Sequence, residues 1–241
     1  MLSKEKITEV KKLERKDWFQ LTVLGILFYT FTQGTQFIGL SLLPAVTVSL
    51  ILNFTPIIVA VMGIFLLSER PSILQWIGAG LFIVGILAYF YPVDLSESKI
   101  LGIVVMIIGV FSNAFSSILG RGINRSHKFH PLTVTVVSMG IGSIIMLIIG
   151  ITTQGLPPLG LTNILFLLWL SVVNTALAFT LWNLSLRTLT AMESSIINGT
   201  MLIQIAFLAW IFIGEPVTLR EGIGMFIAAA GAVVVQIKRR N

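Results

Sequence analysis

The stretches that decide the fold are LLSERPSILQWIG, Leu66 to Gly78, and FIGEPVTLREGIG, Phe212 to Gly224. Each sets a glutamate, Glu69 or Glu215, in a short polar turn between two long apolar runs. Glu215 lies 146 residues after Glu69, and the same offset carries Ile77 onto Ile223, Gly78 onto Gly224 and Gly85 onto Gly231. Upstream it carries Leu40 onto Leu186, Leu43 onto Leu189, Ala45 onto Ala191, Ser49 onto Ser195 and Ala60 onto Ala206, with no gap. Two unrelated apolar helices align loosely, but they do not share turn glutamates and paired glycines. Ser72 with Gln75, and Thr218 with Glu221, have the spacing of a capping box. The proline just ahead of each box is expected to stop the preceding helix. Glu69 and Glu215 are then expected beside the exposed backbone donors of the helix that follows.

The chain of 241 residues is 56% hydrophobic and 11% charged, with mean hydropathy +0.97. A soluble domain carries about 25% charged residues. Apolar runs of about 20 residues recur, as membrane-spanning helices require. They are continuous rather than alternating, which excludes transmembrane strands. The chain has no cysteine, so disulfides, thiolate metal sites and cysteine nucleophiles are excluded.

The pattern predicts an all-α integral membrane protein with about eight helices, over 18–41, 45–67, 72–92, 99–119, 131–152, 160–184, 190–213 and 218–237. The clearest loops are PVDLSES, TQGLPPLG and RGINRSHKFH. With a cytoplasmic N-terminus, only Lys99 and Arg220 of the 16 Lys and Arg residues fall outside. The net charge of +6 is therefore a topology signal and not a nucleic-acid footprint. This orientation puts both termini in the cytoplasm and the protein in the cell membrane. It also puts Glu69 in an inner turn and Glu215 in an outer one. The copies are inverted, which is how secondary transporters are commonly built.

The expected organisation is a cytoplasmic segment 1–16, an incomplete first repeat of three helices (17–92), a second repeat of five (99–237) and a basic tail 238–241. Ile7, Val10 and Leu13 suit the segment 1–16 to a short helix on the membrane surface.

The segments LLPAVTVSLILNFTPIIVAVMGIFLLSERPSILQWIGAGLFIVGI and AFLAWIFIGEPVTLREGIGMFIAAAGAVVV resemble the EamA-like branch of the drug/metabolite transporter superfamily. The resemblance extends over nearly the whole chain after Lys16. It implies ten helices in two five-helix repeats, cytoplasmic termini and commonly outward movement of amino acids, metabolites, amines or drugs. This chain is an incomplete, 3 + 5 version of that 5 + 5 plan. It also has Met201 and Leu202, opposite Thr55 and Pro56, where the family often carries Glu-Pro.

A polar group within a bilayer is costly unless paired or facing a cavity. The candidate substrate-binding residues are therefore the mid-span polar ones. Asn53, Thr55 and Pro56 come first, because a proline leaves the carbonyl one turn back without its donor. They either line a cavity or form a packing kink with Asn53 bonded to a neighbouring helix. Asn198, Thr200 and Gln204 are the corresponding group in the second copy. Gln33 with Gln36, and Asn113 with Ser116 and Ser117, each share a helix face. Trp182 beside Asn183 either cradles an organic substrate or anchors at the interface.

Glu193 reads as a helix cap or as a proton or cation site. No charged residue falls at mid-membrane, so neither a fixed ion-pair anchor nor a proton carrier is apparent. His127 and His130 share a loop without a carboxylate or thiol, and no metal site, cofactor or catalytic constellation is predicted. Glycines and serines recurring every seven residues (Gly78 and Gly85; Gly102, Gly109 and Ser116; Gly224 and Gly231) predict close helix packing, within the monomer or across a homodimer. The function expected is transport of a small organic metabolite or drug across the bilayer by alternating access. The other reading is a truncated or partner-dependent membrane protein that does not transport by itself.

Overall fold

A computed structural model describes residues 10, 13–92, 100–155, 160–212, 214 and 217–237. The readings made for most of 1–16, for Glu215 and Pro216, and for the tail 238–241 lie outside these residues. So do the core of the PVDLSES loop and part of TQGLPPLG.

The described chain is helical, with no strand among these residues. Helix α1 runs Arg15–Gly25, passes through a π-helical stretch Ile26–Thr32 and resumes over Gln33–Leu42. Helix α2 is broken into Ala45–Leu52 and Thr55–Leu67. Then come α3 (Ile73–Phe90), α4 (Ile100–Arg125) and α5 (Pro131–Gln154). Helix α6 runs Leu161–Trp169, is π-helical over Leu170–Leu177 and resumes over Ala178–Ser185. Helix α7 is broken into Ala191–Gly199 and Met201–Phe212, and α8 is Leu219–Gln236.

Seven of these, all but α1, have the length and hydropathy to cross a bilayer. Eight spans were expected. Helix α1 is long enough, but Thr30, Thr32, Gln33, Thr35 and Gln36 interrupt its apolar run. Helix α4 also outruns its expected end at 119 by six residues. RGINR, the start of the expected loop RGINRSHKFH, is helical, and Leu119 and Ile123 pack into a core with Leu21, Leu24, Phe129, Val134 and Val137.

The described residues fall into two compact units. One comprises the chain up to Gly34 together with Leu119–Leu189. Here α1 packs on α5 at small residues. A Cβ on Gly142 would stand 2.5 Å from the Gly25 carbonyl oxygen and 2.6 Å from Tyr29 Cβ. The Thr30 hydroxyl donates to the Gly142 carbonyl at 3.3 Å.

The other unit comprises Thr35–Ile118 and the chain from Thr190. Its centre is the pair α3 and α8, packed antiparallel through the predicted glycines. A Cβ on Gly78 would stand 2.8 Å from the Gly231 carbonyl oxygen, and one on Gly231 would stand 2.6 Å from that of Gly78. Gly85 and Gly224 are related in the same way, at 2.6 and 2.8 Å. Gly78 and Gly224 are 146 residues apart, as are Gly85 and Gly231. Each glycine therefore meets the counterpart of the other, which is the contact pattern of a two-fold axis running between the helices. Phe82, fully buried, fills the core beside this seam.

Both expected capping boxes form. The Gln75 N–H donates to Ser72 Oγ at 3.2 Å, and the Ser72 N–H to Gln75 Oε1 at 2.9 Å. The Glu221 N–H donates to Thr218 Oγ1 at 3.3 Å, and the Thr218 N–H to Glu221 Oε2 at 2.7 Å. Pro71 is not what ends α2. The helix stops at Ser68, which is left-handed (φ 54°), and the Glu69 N–H closes the end on the Gly63 carbonyl at 3.1 Å. Gly214, the residue 146 positions on, is also left-handed (φ 73°). A serine in this conformation is strained where a glycine is not.

Candidate functional site

Helices α2 and α7 break at corresponding points. The Phe54 N–H donates to the Ile51 carbonyl at 3.1 Å and the Ile57 N–H to that of Phe54 at 3.2 Å. The Thr200 N–H donates to the Ile197 carbonyl at 3.1 Å and the Ile203 N–H to that of Thr200 at 3.0 Å. The two sets of tight three-residue bonds are 146 residues apart.

In α2 the cause is Pro56, which has no N–H to give to the Leu52 carbonyl. Helix α7 has Leu202 there instead and breaks all the same. Gly199 lies against the Phe82 ring, where a Cβ would come within 2.6 Å of Cζ. The Thr200 hydroxyl donates back to the Ile197 carbonyl at 2.7 Å, a competing bond that bends helices. The missing Glu-Pro therefore does not remove the break.

Asn53 and Pro56 are buried at the α2 break. Asn53 donates from Nδ2 to the Ser49 carbonyl at 2.7 Å, so its partner is its own helix and not a neighbour. Thr55, at 4% exposure, has a hydroxyl with no hydrogen-bond partner among the described residues. A buried polar atom left unpaired costs about 1–3 kcal/mol, so such atoms call for an explanation. Phe54 beside one break, and Leu202 and Ile203 beside the other, pack against the same core as Phe82.

The remaining candidates are dispersed. Asn198 and Gln204, before and after the α7 break, are exposed, whereas Thr200 is half-buried. Gln33, Gln36 and Asn113 are half-buried, and the Asn113 carbonyl accepts the Ser116 hydroxyl at 2.8 Å. Trp182 is half-buried in α6.

Glu69 caps a helix distant in sequence. Its Oε2 accepts the N–H of Ala191, the first residue of α7, at 2.9 Å. Glu193 completes a third capping box. Its Oε2 accepts the Thr190 N–H at 2.8 Å, and its own N–H donates to Thr190 Oγ1 at 3.2 Å. Gln75 Nε2 reaches Glu193 Oε1 at 3.2 Å, so the first turns of α3 and α7 are joined. Two carboxylates thus meet the free N–H groups and positive end of α7. Of the two readings of Glu193, the cap is what forms.

Two arrangements escaped the sequence reading. In the first, Asn124 donates from Nδ2 to Asn183 Oδ1 at 2.7 Å, and Asn183 Nδ2 donates to Thr135 Oγ1 at 3.0 Å, all three residues being buried. The sequence shows the amides but not that α4, α5 and α6 bring them together. In the second, Lys128 Nζ lies 2.7 Å from Asp17 Oδ1 and 2.8 Å from Oδ2. Burial alone would raise the Asp17 pKa. The bond from Lys128, the Glu14 N–H and the nearby positive charges outweigh it, and the carboxyl lies below its ordinary value. The same contact raises Lys128 above its own. His130 caps α5, its Nδ1 accepting the Leu132 N–H at 3.2 Å.

The profile of the EamA-like transporter family matches residues 6–91 and 100–237. The chain is 23% identical over 251 residues to the uncharacterized transporter YyaM of Bacillus subtilis, covering 96% of this chain and 79% of that protein. It is 25% identical over 240 residues to the uncharacterized transporter YvbV of the same organism, with 97% and 77% covered. An uncharacterized transporter of Archaeoglobus fulgidus is 23% identical over 233 residues, with 93% and 78% covered. The fold matches that of a protein solved by crystallography, with TM-score 0.69 at 17% identity, over 94% of this chain and 77% of that one. A multi-pass bundle of apolar helices, matched over most of its length in this way, belongs to the EamA-like transporter family.

Proposed function

We propose that this membrane transporter moves a small organic solute outward across the cell membrane by alternating access, without ATP. The observation that carries the proposal is the pair of helix breaks at Asn53–Phe54 and Thr200, 146 residues apart and bordering one core. Broken helices expose backbone carbonyls and helix ends near mid-membrane, which is where secondary transporters hold their cargo. Thr55, with its unpaired buried hydroxyl, is the side chain best suited to meet a polar group of that cargo. Asn53, Pro56, Asn198, Thr200 and Gln204 supply the remaining polarity at the breaks. The solute is neutral or zwitterionic, since no charged side chain stands at mid-span to anchor an ion.

In this reading residues 17–92 and 99–237 are inverted repeats of three and five helices, and the basic residues hold both termini in the cytoplasm. Two oppositely oriented copies give two equivalent ways of closing, one toward each face. The two-fold contact of α3 with α8 through Gly78, Gly85, Gly224 and Gly231 supports this reading.

The test is uptake and counterflow in proteoliposomes over a panel of neutral and zwitterionic metabolites, comparing the wild type with Asn53→Ala and Asn198→Ala. A changed rate or selectivity supports the site. Identical transport by all three proteins removes these residues from it, and transport of nothing on the panel counts against the function.

A further inference from the structure

We propose that Phe82 is a positioning residue for transport. Its ring stands in for the proline that α7 lacks, so the α7 break depends on how α3 packs on α8, whereas the α2 break is built into its own helix. The wedge itself stands on geometry, and its bearing on transport rests on the function proposed above. Phe82 and Ala228, 146 residues apart, occupy equivalent places in the two-fold contact. A Cβ on Gly231 would stand 2.9 Å from Phe82 Cα, and one on Gly85 would stand 2.7 Å from Ala228 Cα. Both residues are fully buried. From its place Phe82 extends a ring whose tip lies on the backbone of Gly199. A Cβ there would stand 2.6 Å from Cζ and 3.2 Å from Cε1. The corresponding pair is Ala228 and Asn53. Ala228 has a methyl group in place of the ring, and Asn53 has a side chain where Gly199 has none.

The α2 break needs no wedge. Pro56 has no N–H, and its ring clashes with the carbonyl one turn back, so no change of packing closes this break. At the corresponding place α7 has Leu202, whose N–H is able to continue a helix. The Thr200 hydroxyl bond to the Ile197 carbonyl bends the helix without removing a backbone donor. The ring against Gly199 is then what holds the three-residue bonds at Thr200 and Ile203. Because the Phe82 backbone lies against Gly231, a slide of α8 on α3 is carried by the ring to the α7 break. The same slide at Gly85 moves Ala228, which has no ring to carry it to α2. One break of the pair is therefore permanent, and the other is free to close. Inverted-repeat transporters open to either side by moving one copy against the other. Here the copy that contains α7 carries the break that responds.

The test is hydrogen exchange of the purified full chain in detergent, read over residues 200–204 and 54–57. Phe82→Leu keeps an apolar side chain and removes the ring tip that meets Gly199. The expected result is several-fold slower exchange over 200–204, as α7 gains regular helical bonds across the break, with no change over 54–57. Adding Leu202→Pro gives α7 the device of α2 and is expected to restore the wild-type rate at the remaining amides. Phe82→Met, which fills the site with a flexible chain, replaces Phe82→Leu if that variant does not fold. In proteoliposomes the turnover rate is expected to fall several-fold in Phe82→Leu with KM little changed, and to recover in the double variant. Faster exchange over α3 and α7 alike, worsened by Leu202→Pro, would reduce Phe82 to core packing and overturn the proposal. Unchanged exchange over 200–204, or equal slowing over 54–57, would overturn it too. A wild type that carries no solute counts against the proposed function, and the exchange pattern still decides the wedge.

Discussion

The Glu69 carboxylate accepts the N–H of Ala191 at 2.9 Å across 122 residues of chain. Glu69 closes the end of one broken helix, and Ala191 opens the other. A carboxylate there satisfies a backbone donor that α7 cannot satisfy itself, and it opposes the positive end of the helix. Glu193 and Gln75 extend the contact to α3. Capping interactions therefore join α2, α3 and α7 at this end of the bundle.

Glu69→Ala is expected to destabilise the protein by about 1–2 kcal/mol, the usual loss for a helix cap. Glu69→Gln is expected to retain part of that, since it keeps an acceptor and loses only the charge. Glu193→Ala should cost at least as much as Glu69→Ala, because Gln75 loses its partner as well. Thermal unfolding of the purified variants in detergent measures all three.

Gly85→Ala and Gly231→Ala each force a Cβ against the backbone of the facing helix. Overpacking of this kind costs about 1–3 kcal/mol, and a rigid backbone puts these sites at the upper end. Gly80→Ala and Gly222→Ala have nothing within 4 Å of the added atom. They should be neutral, or stabilising by up to about 1 kcal/mol through helix propensity. The contrast between the pairs, read from unfolding midpoints, tests the seam of α3 with α8.

Asn183 joins α4 to α5 through Asn124 and Thr135. Asn183→Leu keeps the volume but removes both bonds, leaving Asn124 Nδ2 only the Gly120 carbonyl and Thr135 Oγ1 only the Pro131 carbonyl, at about 1–3 kcal/mol. Because α6 is otherwise little covered, its C-terminal half should lose protection first. Hydrogen exchange over residues 178–185 is expected to quicken more than over α3.

The Asp17–Lys128 contact sets a pH window. The Asp17 carboxyl is lowered on folding, so its contribution is complete above its ordinary 3.8 and is lost as pH falls through the folded value. Lys128 is raised on folding, so its contribution is complete below 10.5 and is lost as pH rises through the folded value. The difference in stability between wild type and Asp17→Asn should be flat from about pH 5 to 9 and shrink toward zero in acid. A difference that grows in acid would contradict the assignment.

Features written in local pattern were legible in the sequence. The helices and the capping boxes at Ser72 and Thr218 depend on residues near one another in the chain or on composition, and the offset of 146 on matching one such local pattern with another. What was missed depends on who meets whom. The contact of Glu69 with the start of α7 is hidden in the sequence because the two are 122 residues apart. The extension of α4 was hidden because RGINR has loop composition, while the packing of Leu119 and Ile123 into the core is a contact between distant segments. At the candidate site, Asn53 and Pro56 were readable from proline chemistry. The break in α7 has no such marker and arises where Gly199 lies against Phe82.

The central claim, that the break in α2 lies on a path open to each side in turn, is tested by single-cysteine labelling of Thr55→Cys in oriented vesicles. The account predicts modification by a membrane-impermeant maleimide added to either side alone, and slower modification when a transported solute is present. Modification from one side only, or a rate indifferent to every solute the protein carries, would contradict it.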